Sequence, residues 1–189
     1  MSLRELLAPD GIVLDAPDLN VPSFEQLDFD AMVDLGAARG RANPPRAIVG
    51  SSLGSLVALE VARRGIDAPL VLIAPALGIV KRWTTELPPG DPISVFNHAR
   101  NGNAPIHRAF FERMARVDVD AHPPAHPVTV IIGRNDESVG FANVERVWRE
   151  WEASGQMAAG SRLVEIAEGD HGLVAFADVI AAEIKRAID

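Results

Sequence analysis

The rhythm of its apolar runs limits the fold of this chain more than any other feature. Residues 70–74 (Leu-Val-Leu-Ile-Ala) and 128–133 (Val-Thr-Val-Ile-Ile-Gly) are almost unbroken stretches of strand-forming residues, and residues 46–50 and 162–167 are shorter runs of the same kind. A half-exposed strand alternates apolar with polar side chains, because successive residues point to opposite faces. A run without alternation is buried on both faces, as in a parallel sheet covered by its crossover helices. Helical patterns lie between and around these runs, at residues 24–38, 55–64, 141–153 and 173–188. The first of them has Ser23 as its N-cap and Gly40 beyond its end. A further strand is expected at residues 11–16, stopped by Pro17. The pattern predicts an α/β chain of three layers, with a mostly parallel sheet of five to six strands.

A chain of 189 residues fits one domain, residues 1–189. Residues 77–127 break the rhythm with Pro88-Pro89-Gly90, Pro92, Asn101-Gly102-Asn103, Pro105 and Pro123-Pro124, while Phe96, Phe110, Phe111 and Met114 supply apolar surface. This segment is expected to pass over the C-terminal edge of the sheet, where ligands bind in such folds. It is either a small lid-like excursion or a helical connection with irregular ends. A net charge of −8 without a basic run argues against nucleic acid as a partner. The absence of cysteine excludes disulfides, thiol nucleophiles and thiolate metal sites, and fits a reducing cytoplasm. No stretch reaches the ~20 apolar residues of a membrane span. Residues 1–7 lack the basic-then-apolar order of a secretory signal, so no membrane association is expected.

The chemistry concentrates at Gly50-Ser51-Ser52-Leu53-Gly54. A short apolar run, Ala47-Ile48-Val49, precedes it, and the helical pattern of residues 55–64 follows. A G-x-S-x-G between a strand and a helix is the setting of a nucleophile elbow. Its glycines let the backbone turn tightly, so that a strained serine lifts its hydroxyl out of the sheet. The alternative is a glycine-rich turn that closes a sheet unit or cradles a phosphate at a helix N-terminus.

A serine hydroxyl needs a base, usually histidine, and a carboxylate that fixes the histidine tautomer. Asp136 stands in the loop after residues 128–133, and His171 in the loop after residues 162–167. Nucleophile, acid and base therefore follow in the order Ser52, Asp136, His171. Glu137 is the fallback acid. Asp170 adjoins His171 and reads as a stray carboxylate or a helix cap, because neighbours in sequence rarely form the acid-to-base hydrogen bond, and Asp118 and Asp120, before the 128–133 run, are less favoured sources of the acid. Ser51 and Ser55 flank the centre of the motif without occupying it. His98, His107, His122 and His126 fall in the irregular segment without Asp or Glu at ligand spacing, so no metal is expected. Trp148 and Trp151 are expected to pack.

Five pieces of the chain, Ala16-Pro17-Asp18-Leu19, residues 50–54, Leu72-Ile73-Ala74-Pro75-Ala76-Leu77, residues 133–139 and Gly169-Asp170-His171, together resemble the α/β-hydrolase superfamily, in particular its small, nearly lidless bacterial serine esterases. They span nearly the whole chain. The resemblance implies a three-layer α/β-hydrolase-like fold, with Ser52 as nucleophile, Asp136 as acid and His171 as base. It also implies that the backbone N–H of Leu53 is one oxyanion donor. It further implies a small-molecule ester or thioester substrate and no cofactor.

One departure stands out. The family places a strand between those corresponding to residues 11–16 and 46–50, followed by a loop that carries the second oxyanion donor, and no such segment is present. Losing one donor costs on the order of 10²–10³ in rate. Three expectations follow: a truncated start, which we favour; direct pairing of the two neighbouring strands; or a degenerate hydrolase that binds without turnover. An exposed sheet edge would also allow pairing with a second copy, giving a homodimer. A dinucleotide-binding domain is disfavoured, because Asp15-Ala16-Pro17-Asp18 stands where its glycine-rich turn would be.

Overall fold

A computed structural model of the protein describes residues 1–80, 86–97 and 102–189. Its central sheet has four strands, β1 (Ile48–Ser51), β2 (Leu70–Ile73), β5 (Val128–Gly133) and β6 (Arg162–Ile166), in the order β1-β2-β5-β6. All neighbours are parallel. Two further strands, β3 (Ile93–Asn97) and β4 (Gly102–Ile106), form a separate antiparallel ribbon. The helices are α1 (Leu3–Leu7), α2 (Phe29–Ala42), α3 (Leu53–Arg63), α4 (Arg108–Arg116), α5 (Phe141–Ser154) and α6 (Ala177–Ile188).

Every residue of β2 and β5 is buried, so both faces of the sheet are covered where their unbroken apolar runs require it. Strands β1 and β6 are the edges and are only partly buried. Helix α3 packs on β1 and β2, α6 on β2 and β5, and α5 on β5. The fold class is the expected one. The parallel sheet has four strands rather than the expected five to six, and the two strands of the ribbon lie in the segment 77–127, where no strand was expected.

Residues 11–16 are not a strand. Ile12 and Leu14 are half-buried, but Val13 is 87% exposed. A groove of about 580 Å³, lined by Ile12, Leu14, Val49, Val57, Val61 and Ile184 among others, lies alongside them and β1. A strand needs a neighbour for its N–H and C=O groups, and these residues have none in the sheet. Direct pairing of the two segments, one of the three expectations, therefore does not occur.

Helix α2 also differs from expectation. It starts at Phe29, because the Asp28 carboxylate accepts the Ala31 N–H at 3.0 Å. The Ser23 hydroxyl caps only an isolated turn, accepting from Gln26 N–H at 3.2 Å. Gly40 does not end α2 but lies within it. A Cβ on Gly36 would lie 2.8 Å from Val61 Cγ2, and one on Gly40 3.0 Å from Ile66 Cδ1. Each glycine costs a helix interior roughly 0.5–1 kcal/mol relative to alanine, and here they let α2 approach α3 and the turn that follows it closely.

The segment 77–127 contains the ribbon and α4. Phe110, Phe111 and Met114 turn inward and join the core. A bidentate pair from Arg113 to Asp30, at 2.9 and 3.0 Å, ties α4 to α2. His98 and Asn101 lie outside the described residues. Among the described residues, no helix is long and apolar enough to cross a membrane.

Candidate active site

Ser52 sits where β1 turns into α3, with φ 51° and ψ −122°. Its backbone is held on three sides. Ser52 N–H donates to Ile73 O at 2.9 Å, while Ser52 O accepts from Ser55 N–H at 3.0 Å and Ala76 N–H at 3.2 Å. The buried Ser55 hydroxyl donates to Gly50 O at 3.0 Å and staples the helix to the strand it follows. These bonds over-determine a backbone geometry that costs a non-glycine residue of order 1–3 kcal/mol. Leu53 opens α3, so its N–H has no partner within the helix. It lies one residue from the Ser52 hydroxyl at the positive end of the helix dipole.

Among the described residues, the non-glycine positions with positive φ are Ser52, Ala74 (42°) and Leu173 (48°). Ala74 immediately follows β2, and Leu173 lies two residues past His171. Backbone strain of this kind clusters where surrounding contacts hold a functional geometry.

The structure brings Ser52, Asp136 and His171 together. His171 Nε2 lies 3.0 Å from Ser52 Oγ, and His171 Nδ1 lies 2.9 Å from Asp136 Oδ2. The Asp136 side chain is fully buried, whereas that of His171 is 26% exposed. A buried carboxylate is costly unless its oxygens are hydrogen-bonded. Asp136 Oδ1 accepts the N–H groups of Ser138 at 3.0 Å and Val139 at 2.9 Å, which leaves Oδ2 for the imidazole. With Nδ1–H donating to the carboxylate, Nε2 presents its lone pair to the serine hydroxyl.

The other candidates are engaged elsewhere. Asp170 accepts the Leu173 N–H at 2.9 Å, a capping role. Asp120 accepts the Gly78 N–H at 2.6 Å. Glu137 is exposed beside the buried Asp136, and Asp118 is also exposed. His107 faces Asp91 at 3.2 Å, and His126 faces Asp67 at 3.3 Å. His122 is exposed. Among the described residues, no group of three or more His, Asp and Glu side chains could hold a metal. Trp148 and Trp151 are buried, and the Trp151 indole donates to Asp120 O at 2.8 Å.

Sequence reasoning missed the two backbone donors that orient Asp136. It also missed the two glycines, Gly133 and Gly169, where the loops carrying Asp136 and His171 touch. Their signal was present as a glycine ending one strand run and another in the loop after the next.

No protein-family model and no curated protein matches the chain. Several solved structures do. A monoacylglycerol lipase from Paleococcus ferrophilus has a TM-score of 0.69 at 16% identity, covering 98% of this chain and 86% of that one. The esterase domain of a Rhodothermus marinus protein has a TM-score of 0.63 at 20% identity, covering 86% and 70%. The mouse α/β hydrolase domain-containing protein 10 has a TM-score of 0.63 at 21% identity, covering 85% and 69%. Sheet order, element sequence and these neighbours agree, and the chain has the α/β-hydrolase fold.

Proposed function

We propose that this chain is a serine hydrolase that cleaves a small carboxylic ester or thioester through an acyl-enzyme on Ser52. One observation carries the reading: His171 stands within hydrogen-bond distance of both Ser52 Oγ and Asp136 Oδ2. Ser52 Oγ attacks the substrate carbonyl carbon while His171 Nε2 takes its proton. Asp136 holds the imidazole in the tautomer that can accept this proton and balances the positive charge that results. The carbonyl oxygen gathers negative charge beside the Leu53 N–H. As the intermediate collapses, His171 returns the proton to the departing alcohol or thiol. Water then enters and attacks the acyl carbon as His171 takes one of its protons; the second intermediate collapses by breaking the bond to Ser52 Oγ, His171 returns the proton to Oγ, and the acid leaves. No step needs a cofactor. The small excursion and the few aromatic residues favour a short acyl group.

The esterase and lipase among the structural neighbours agree with this reading at the level of the fold. The competing reading, a binding module without turnover, draws on β1 being the edge of the sheet, so that a groove rather than another strand flanks the elbow. A fluorophosphonate probe separates the two, because it labels an activated serine whatever the substrate. A single adduct by intact mass, lost in Ser52→Ala and His171→Ala, is the expected result. A folded protein that takes no label would reject the hydrolase reading in favour of the binding module.

A further inference from the structure

The loops that carry Asp136 and His171 cross at two glycines. Gly133 ends β5 and stands opposite Ile166, which ends β6. A Cβ on Gly133 would lie 2.2 Å from Gly169 O, 2.4 Å from the Gly169 carbonyl carbon and 2.9 Å from Asp170 O. A Cβ on Gly169 would lie 2.6 Å from Leu173 Cδ2 and 3.0 Å from Gly133 Cα. Neither glycine has a positive φ, so other residues could adopt their backbone conformation. What excludes a side chain here is space.

Hydrogen bonds surround the crossing. Arg134 N–H donates to Ile166 O and Asn135 N–H to Gly169 O, both at 2.9 Å. Asn135 adjoins Asp136, and Gly169 lies two residues before His171. A side chain at Gly133 would press on the carbonyl that Asn135 donates to, and would drive apart the two segments that hold the carboxylate and the imidazole.

We propose that the Gly133–Gly169 crossing is a positioning device that sets the Asp136–His171 hydrogen bond, and through it the aim of His171 Nε2 at Ser52. The proposal rests on the catalytic reading of Ser52, Asp136 and His171. Both glycines are buried and have no side chain to offer to the reaction. A merely structural glycine would lose stability on substitution and leave the site of the folded protein unchanged. A positioning glycine changes the site in protein that is still folded.

The test pairs two readouts, taken below the melting transition of every variant. One is the far-downfield proton resonance of His171 Nδ1–H, assigned by its loss in Asp136→Ala. The other is the initial rate of fluorophosphonate labelling. Gly155→Ala is the control. Gly155 caps α5 at φ 66° and an added Cβ there meets nothing within 4 Å, so the substitution strains the fold without a route to the site.

Gly133→Ala is expected to lose the resonance and to label ~100-fold more slowly, the effect of a misplacement of about 1 Å. Gly169→Ala is expected to show the same changes to a smaller degree, because its closest obstacle is the movable end of a leucine. Gly155→Ala is expected to match the wild type in both. A folded Gly133→Ala with wild-type resonance and rate overturns the proposal, and Gly169→Ala decides in the same way if Gly133→Ala does not fold. An unlabelled wild type defeats the hydrolase reading, and the resonance alone then decides the crossing. A wild type without the resonance overturns the proposal outright.

Discussion

The two glycines of the G-x-S-x-G motif have different physical roles, and a pair of alanine substitutions separates them. A Cβ on Gly50 would lie 2.6 Å from Gly54 O, 2.7 Å from Ser55 Cα and 2.9 Å from Ala58 Cβ. Two of these are backbone atoms of α3 and cannot swing away. The strand and helix would have to separate, at about 1–3 kcal/mol for overpacking, and the elbow would move with them. A displacement near 1 Å costs on the order of 10²-fold in rate. Gly54 is the opposite case. It is the second residue of α3, its φ is not positive, and a Cβ there meets nothing within 4 Å. The added methyl would enter the groove beside β1, which Gly54 lines. Gly54→Ala should therefore stabilise the protein by roughly 0.5–1 kcal/mol through helix propensity. In a chain of this size that raises Tm by about 1–4 °C. Thermal melts and labelling rates measured side by side give the result. Gly50→Ala should melt earlier and label slowly, and Gly54→Ala should melt later and label at the wild-type rate. A destabilised Gly54→Ala would mean that its Cβ position is covered, and a wild-type-like Gly50→Ala would mean that the elbow is not packed as tightly as its distances require.

Three further outcomes follow from the same geometry. Ser52→Gly should be more stable than Ser52→Ala by about 1 kcal/mol or more in urea denaturation, because glycine relieves the φ of 51° and alanine keeps the strain; equal stability would show that the turn is not strained. Asp136→Asn should stay folded, since an amide oxygen still accepts from Ser138 and Val139, yet lose on the order of 10⁴ in kcat because its NH₂ cannot accept from His171 Nδ1–H; a loss below tenfold would count against Asp136 as the acid. The Arg113 guanidinium holds the Asp30 carboxyl below its usual 3.8. A depressed carboxyl stabilises the fold above that value and loses its contribution as the pH falls through the folded pKa. Both side chains are nearly half exposed, so screening limits the pair to ~0.2–1 kcal/mol. The Tm difference between wild type and Asp30→Asn should be present at neutral pH and close in acid, and a difference that persists undiminished there would refute the assignment.

The sequence made the sheet legible because β2 and β5 are buried on both faces, and only apolar residues survive there. The Ser52 turn was legible for a different reason, since a short apolar strand running straight into a helix leaves few residues to make the corner. What was not legible depended on neighbours. Ile12-Val13-Leu14 has strand-forming residues, but a strand is a property of two chains of backbone, and among the described residues none pairs with this one. The start of α2 turned on a choice between Ser23 and Asp28 as caps, which local sequence leaves nearly balanced. Gly40 looked like a terminator because its contact with Ile66 is long-range.

The sheet order explains why the His171 loop needs the glycine crossing. Ser52 lies at the end of β1 and His171 follows β6, three strand spacings away, roughly 14 Å. An imidazole side chain cannot span that distance from a loop that rises straight off β6. The loop must first fold back over the end of β5, and Gly169 lies directly on Gly133, the last residue of that strand. The crossing brings His171 inward by one spacing and places it over the Asp136 loop, which springs from the same strand end. From there the side chain bridges Asp136 and the elbow. A bulkier residue at the end of β5 would lift the loop away from Asp136 and Ser52 together, so the closeness of two backbones at this point decides whether three distant strand ends act as one site.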